Sequence, residues 1–406
     1  MKITALETIQ LTSLPMTIWL QVHTDAGIVG LGESAREPAT IAEYVHTSVA
    51  AYLLGKDPLA IERHNRHLLS RNVGYAGSAA EVRAASAVDL ALWDILGQAT
   101  GQPIHQLLGG LSRDRLPVYN TCASFDYHMG PASNQMSRQV AKGETSKAPQ
   151  GVYDDQVLFM NRADELAHSL IEEGYKAMKI WPLDPQARAT GGNHISAADL
   201  KEGIEPFEKI RKAVGDKIDV LCEMHSLWNL PSAMRIARAL EPYAPFWIED
   251  PLDKMNNVPA LAELARYSRI PVAGGENLSH LTIFRDHLAA GGLHYVIADL
   301  EWCGGLTQAR KIAALAEAYQ RPLALHDCLG PVSLAASVHL ALHAPNVPFQ
   351  EVVRSFIASW YKDVATNIPR IFDGYIYPLT GPGLGTALLP DIAKRPDAIV
   401  RRTDLA

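Results

Sequence analysis

Seven ionisable residues fall at the ends of short apolar runs in the second half of the chain: Lys179, Glu223, Glu249, Glu276, Asp299, His326 and Glu351. From Glu223 onward they recur every 23 to 27 residues. That interval is the length of one strand-plus-helix unit. Parallel strands closed into a barrel bring their C-terminal ends to one mouth, so residues remote in sequence would share one cavity there. Three consecutive strands offering Glu223, Glu249 and Glu276 would bring three carboxylates together. Left alone they repel and raise one another's pKa values, and a hard divalent cation resolves the repulsion. Oxygen-only ligation with room for substrate and water suits Mg²⁺. Asp299, one strand before His326, can hold that imidazole in one tautomer and raise its basicity, which is the arrangement of a general base.

The elements that must position these residues read as follows. Eight apolar runs (PVYN, YKAMKI, IDVLCE, PFWIED, IPVAGGE, YVIAD, PLALHD and VPFQE) alternate with helical stretches such as SAMRIARALEPY and LTQARKIAALAEAYQ. The alternation predicts a (β/α)7-8 TIM-type barrel of the α/β class over residues 117–372. Residues 1–116 read as an α+β capping domain. MKITALETIQLT and TIWLQVHTDAGIVGLGES form a small antiparallel sheet, and SAAEVRAASAVDLALWDILGQATG a helix with Ala85, Val88, Leu92 and Ile95 on one face. The tail 373–406 leaves the barrel pattern and is expected to pack on the capping domain. Two polar stretches, 126–158 and 184–198, are expected to be long loops.

Composition bounds the function. The chain has 406 residues, 48% hydrophobic and 20% charged, with net charge −7. No basic cluster points to nucleic acid or an anionic membrane surface. No secretion signal or membrane span is expected, and the four cysteines, without a CxxC pair, read as free thiols of a cytoplasmic protein. The spacing in HLALH, His339 and His343, reads as a plain helix face, and GPGLG as a turn.

The chain resembles the enolase superfamily, specifically its mandelate racemase-like subgroup. The matching pieces are GIVGLGES and ALWDILGQATGQPIHQLLGG near the start, then MKIWP, WIEDP, VAGGENL, IADLEWCGGLTQARKIAALAE, LHDCLGPVSLAASVHLA, FQE and GPGLG. The resemblance implies Mg²⁺ on Glu223, Glu249 and Glu276, the Asp299–His326 dyad as base, and Glu351 beside the substrate carboxylate. Many relatives have Asp where Glu223 stands. The subgroup's racemases carry Lys-x-Lys on the second strand. Here the stretch is Lys179-Ile180-Trp181, and Trp181 cannot take a proton, so Lys179 is expected to act electrostatically on the substrate carboxylate. The cycloisomerase branch has a Lys on the sixth strand, and IADLEWCGG has none.

In the subgroup's acid-sugar dehydratases, a His at the place of His225 acts as general acid on the leaving hydroxyl. Alternation along a strand would put Glu223 and His225 on one face. The expected reaction is removal of the proton α to a carboxylate, then β-elimination of water from an acid sugar to a 2-keto-3-deoxy acid. Epimerisation or racemisation by His225 and His326 is the alternative, and a non-catalytic carboxylate-binding relative a second. Trp181, Trp19 in TSLPMTIW, Tyr75 in NVGYAGS, and Asn193 and His194 in TGGNHIS are the expected substrate-binding residues. Relatives assemble as homo-oligomers.

Overall fold

The computed structural model describes residues 1–70, 79–129 and 140–406. Strands β1 (Ile3–Leu11), β2 (Leu14–Thr24) and β3 (Val29–Ala35) form an antiparallel sheet. A helix, Ala80–Thr100, lies across it. The glycines of GIVGLGES set how close that helix comes. A Cβ on Gly30 would stand 2.1 Å from the Ala91 carbonyl oxygen, and one on Gly32 1.9 Å from that of Ala87. Only residues without a side chain allow this approach. The predicted apolar face of the helix is buried, with Ala85, Val88, Leu92 and Ile95 all at 1% exposure or less.

The barrel follows: β4 (Leu116–Thr121), β5 (Ala177–Ile180), β6 (Asp219–Glu223), β7 (Ile248–Glu249), β8 (Val272–Gly274), β9 (Tyr295–Asp299), β10 (Leu323–His326) and β11 (Gln350–Val352). Each pairs in parallel with the next, and β11 pairs back to β4, closing eight strands. All eight apolar runs read from the sequence are these strands. Tyr119, Ala177, Leu221, Trp247, Ala273, Ile297 and Ala324 form a separate apolar cluster. On five strands the polar residue stands two positions further along: Lys179, Glu223, Glu249, Asp299 and His326. Side chains two apart share a face, so an apolar plug below implies a polar layer above.

A short hairpin, β12 (Ile371–Phe372) and β13 (Tyr375–Ile376), adds antiparallel to the start of β4. The chain then crosses to the capping sheet. Leu384 N–H donates to Asp94 on the Ala80–Thr100 helix (2.9 Å), and β14 (Ala398–Asp404) pairs antiparallel with β1. Between the capping unit and the barrel, Asp89 accepts from Thr307 N–H (2.8 Å), and Trp93 Nε1 donates to the Thr307 hydroxyl (2.9 Å).

Two expectations about loops change. Residues 184–190 are helical, started by Pro185 in the first turn and stopped by Gly191 at φ 61°. TSLPMTIW is not a loop around Trp19: β2 begins at Leu14, and only Thr12 and Ser13 form the turn. Among the described residues no helix is long and apolar enough to cross a membrane.

Candidate active site

The seven strand-end residues meet at the barrel mouth. Register explains most of it: Glu223 pairs directly with Glu249, and Asp299 with His326. Glu276 lies beyond the end of β8, where Gly275 at φ 118° turns the chain and carries its side chain to the others. Oxygens of Glu223, Glu249 and Glu276 lie within 4.8 Å of one another, all buried. Lys179 Nζ sits against this group, 2.6 Å from Glu249, 3.0 Å from Glu351 and 3.3 Å from Glu223. Burial would lower the lysine's pKa, but these carboxylates outweigh it and hold the ammonium charged.

The three carboxylates suit a hard cation. Glu223 folds back so that Oε1 accepts the amides of Met224 (2.9 Å) and His225 (2.7 Å). Its Oε2 is buried and accepts no hydrogen bond, the Lys179 ammonium at 3.3 Å being its ion-pair partner. The extra methylene relative to Asp permits this bend and leaves one oxygen facing the group. Burial and the charge of Glu223 push the Glu249 carboxyl well above the usual range. Three carboxylates thus crowd beside one ammonium, and the donors they offer are all oxygen.

Two imidazoles face the same cavity. His326 Nδ1 is 2.6 Å from Asp299 Oδ2, and its Nε2 is 3.2 Å from Glu276. Burial alone would lower its pKa, but Glu276, Glu351 and Asp299 raise it to about 9. His225 Nδ1 is 2.8 Å from Asp184 Oδ2. Burial again opposes the charge, and Asp184 and Glu223 win, raising the pKa. Strand alternation does not carry His225 to the cavity. The strand ends at Glu223, and His225 (φ 48°) and Ser226 (φ 55°) form a left-handed turn. His225 reaches the cavity from that turn. Trp181 is buried edge-on to His225, with ring centroids 5.4 Å apart.

Glu351 accepts from Tyr119 (3.0 Å), Thr121 and Asp327 N–H (3.1 Å). The cavity is lined by Lys179, Trp181, Glu223, His225, Glu276, His326 and Glu351, and also by Arg36, Thr121, Tyr127, His128, Cys328 and Leu329.

Three expected substrate contacts do not line it. Trp19 is fully buried in β2, its Nε1 donating to Glu33 (2.6 Å). Asn193 and His194 are exposed beyond the Asp184–Thr190 helix, where the Asn193 carbonyl accepts from Asn229. Tyr75 lies outside the described residues. His339 and His343 behave as a helix face, bonding to Leu384 and Gly110 carbonyls.

The residues not anticipated are Asp184 and the lining groups from β4, the β10 loop and the capping unit. Asp184 had a signal: it is the first carboxylate after β5, beside the end of β6. Arg36 had none, since its approach depends on how the capping unit sits over the barrel.

The site's geometry and fold together define an enolase-type barrel with its capping domain. A family model described as mandelate racemase / muconate lactonizing enzyme, N-terminal domain, matches residues 3–109, and one described as enolase C-terminal domain-like matches 162–392. The chain belongs to the mandelate racemase/muconate lactonizing enzyme family of the enolase superfamily, and it is an enzyme. It is similar to an enolase protein from Sargasso Sea environmental sequencing (46% identity, 100% of this chain and 99% of that one, TM-score 0.88). It is also similar to an enolase of the mandelate racemase subgroup from Agrobacterium tumefaciens (46%, 100% and 99%, TM-score 0.87). Among curated relatives, a D-galactonate dehydratase of Xanthomonas oryzae pv. oryzae is 32% identical over 412 residues, covering 97% of this chain and 94% of that protein.

Proposed function

We propose that the protein dehydrates an acid sugar. The observation that carries this reading is the pair of imidazoles, each oriented by its own carboxylate, facing one cavity beside three clustered glutamates. The curated relatives named D-galactonate dehydratases support the same chemistry.

The substrate carboxylate would lie near Lys179 and Glu351. His326 Nε2 takes the proton from the carbon α to it, and the C–H electrons form the enediolate. His225, charged through Asp184, gives its Nε2 proton to the β-hydroxyl as the C–O bond breaks. Water leaves, and the enol tautomerises to a 2-keto-3-deoxy acid. Glu223, Glu249 and Glu276 would hold Mg²⁺, which when bound supplies positive charge against the enediolate and offsets the negative field on His326. Glu351 keeps Lys179 in place. Trp181 packs against His225 and limits its orientations.

Epimerisation is the second reading, favoured by one observation: His225 has a carboxylate partner of its own, as His326 does. A mass-spectrometric screen separates the two. The protein with Mg²⁺ in D₂O is incubated with aldonic, uronic and aldaric acids, beside a metal-free control. Metal-dependent loss of water to a keto acid carrying one solvent deuterium at C3 is expected. Deuterium uptake without loss of water would make His225 a second base, and no change with any acid sugar would remove the dehydratase reading.

A further inference from the structure

The cavity has two long cations, and they differ. Lys179, from the barrel, is in contact with three carboxylates. Arg36, from the turn after β3 in the capping unit, has none: its guanidinium has no ion pair or hydrogen bond among the described residues, and its Nε is buried without a partner. Arg36 is half-buried, and a guanidinium at a cavity edge without an ion pair is free to take an anion.

Arg36 is also held in place. Its carbon Cζ lies 4.7 Å above the Trp302 ring, which itself stands 5.2 Å from the His326 ring. Its backbone N–H donates to Met16 (2.7 Å), and its φ is 66°. Arg83 donates to the Ala35 carbonyl (2.7 Å), fixing the turn from the other side. The neighbouring His128 is no rival for an anion: burial lowers its pKa to about 4, and Cys328 and Arg36 lie beside it.

Resting on the dehydratase reading, we propose that Arg36 binds a second carboxylate at the far end of the substrate, so that the substrate is a sugar diacid, an aldaric acid. The reacting carboxylate belongs to Lys179, and the distal one to Arg36. A guanidinium offers two parallel N–H groups that match a carboxylate fork. An aldonic acid ends in a primary alcohol and would leave that fork unpaired. The diacid would meet one cation at each end.

The test compares aldaric, aldonic and 6-phosphoaldonic acids of the same configuration on the Mg²⁺-loaded enzyme. The aldarate is expected to have the highest kcat/KM. In Arg36→Ala the ratio of kcat/KM, aldarate over aldonate, should fall about 10-fold or more, the scale for losing a bidentate charge pair at a partly exposed site. Arg36→Lys should recover only part of it. Because each variant is read on two substrates, partial loss of folded protein does not alter the ratio. An unchanged ratio, or preference for the aldonate or the phosphate, overturns the proposal while leaving dehydration intact. If no acid sugar is dehydrated, the function reading fails, and calorimetric binding still decides this one: aldarate binding no tighter than aldonate, or unaffected by Arg36→Ala, overturns it.

Discussion

His326 and His225 present two ways of mounting an imidazole at one cavity. His326 ends strand β10, and its partner Asp299 ends the neighbouring strand at the same register position. His225 stands on a left-handed turn past β6, and its partner Asp184 comes from the start of a helix after β5. The first pair is set by backbone hydrogen bonds that no side chain can easily shift. The second depends on a turn and a helix end. A strand-mounted base suits proton removal from carbon, which tolerates little misplacement. A turn-mounted acid can follow a leaving hydroxyl. On the proposed function, this difference fits His326 as base and His225 as acid.

Removing each imidazole should break the comparison most sharply. His326→Asn is expected to lower dehydration about 10³-fold or more and to abolish exchange of the α-proton in D₂O. His225→Asn should lower dehydration comparably but retain α-proton exchange. Deuterium incorporation read by mass spectrometry distinguishes them, and loss of exchange in both variants would mean the two histidines do not divide the work.

A second contrast sets these histidines against His339, buried between the barrel and the tail. Burial lowers its pKa to about 4, with the Leu384 carbonyl opposing and His105 adding to the shift. A folded pKa below the unfolded 6.5 contributes stability that is present above pH 6.5 and lost as pH falls toward 4. For so buried a group this amounts to on the order of 3 kcal/mol. Urea unfolding at pH 7 and pH 4.5 should show the loss, and His339→Gln should flatten it. A slope unchanged in that variant would assign the acid sensitivity elsewhere.

The smallest effect concerns the partners. Asp184→Asn should slow dehydration by about 10–100-fold, as loss of an orienting carboxylate does. Asp299→Asn should slow exchange and dehydration together, whereas Asp184→Asn should slow dehydration alone. Equal slowing of exchange in both would erase the distinction between strand-mounted and turn-mounted pairs.

The strand-mounted pair and the acidic cluster were legible in the sequence. Their spacing is one strand–helix unit, and the apolar residue two positions before the polar one marks the inward face. Glu276 was found by spacing, though Gly275 rather than strand alternation brings it in. His225 was found by resemblance, and the alternation argument for it failed because the strand stops two residues earlier. Trp19, Asn193 and His194 were misplaced because an aromatic or polar residue near a turn looks the same whether the turn faces a cavity, a core or water.

Periodicity in this chain therefore determined the barrel, its eight strands and the seven polar strand ends, because a period-two backbone and a repeating unit translate directly into faces and layers. The Asp184–His225 pair, the packing of Trp181 and the approach of Arg36 over Trp302 were decided only by tertiary structure. Each joins segments whose separation follows no period, and each depends on turns and on the seating of the capping unit over the mouth.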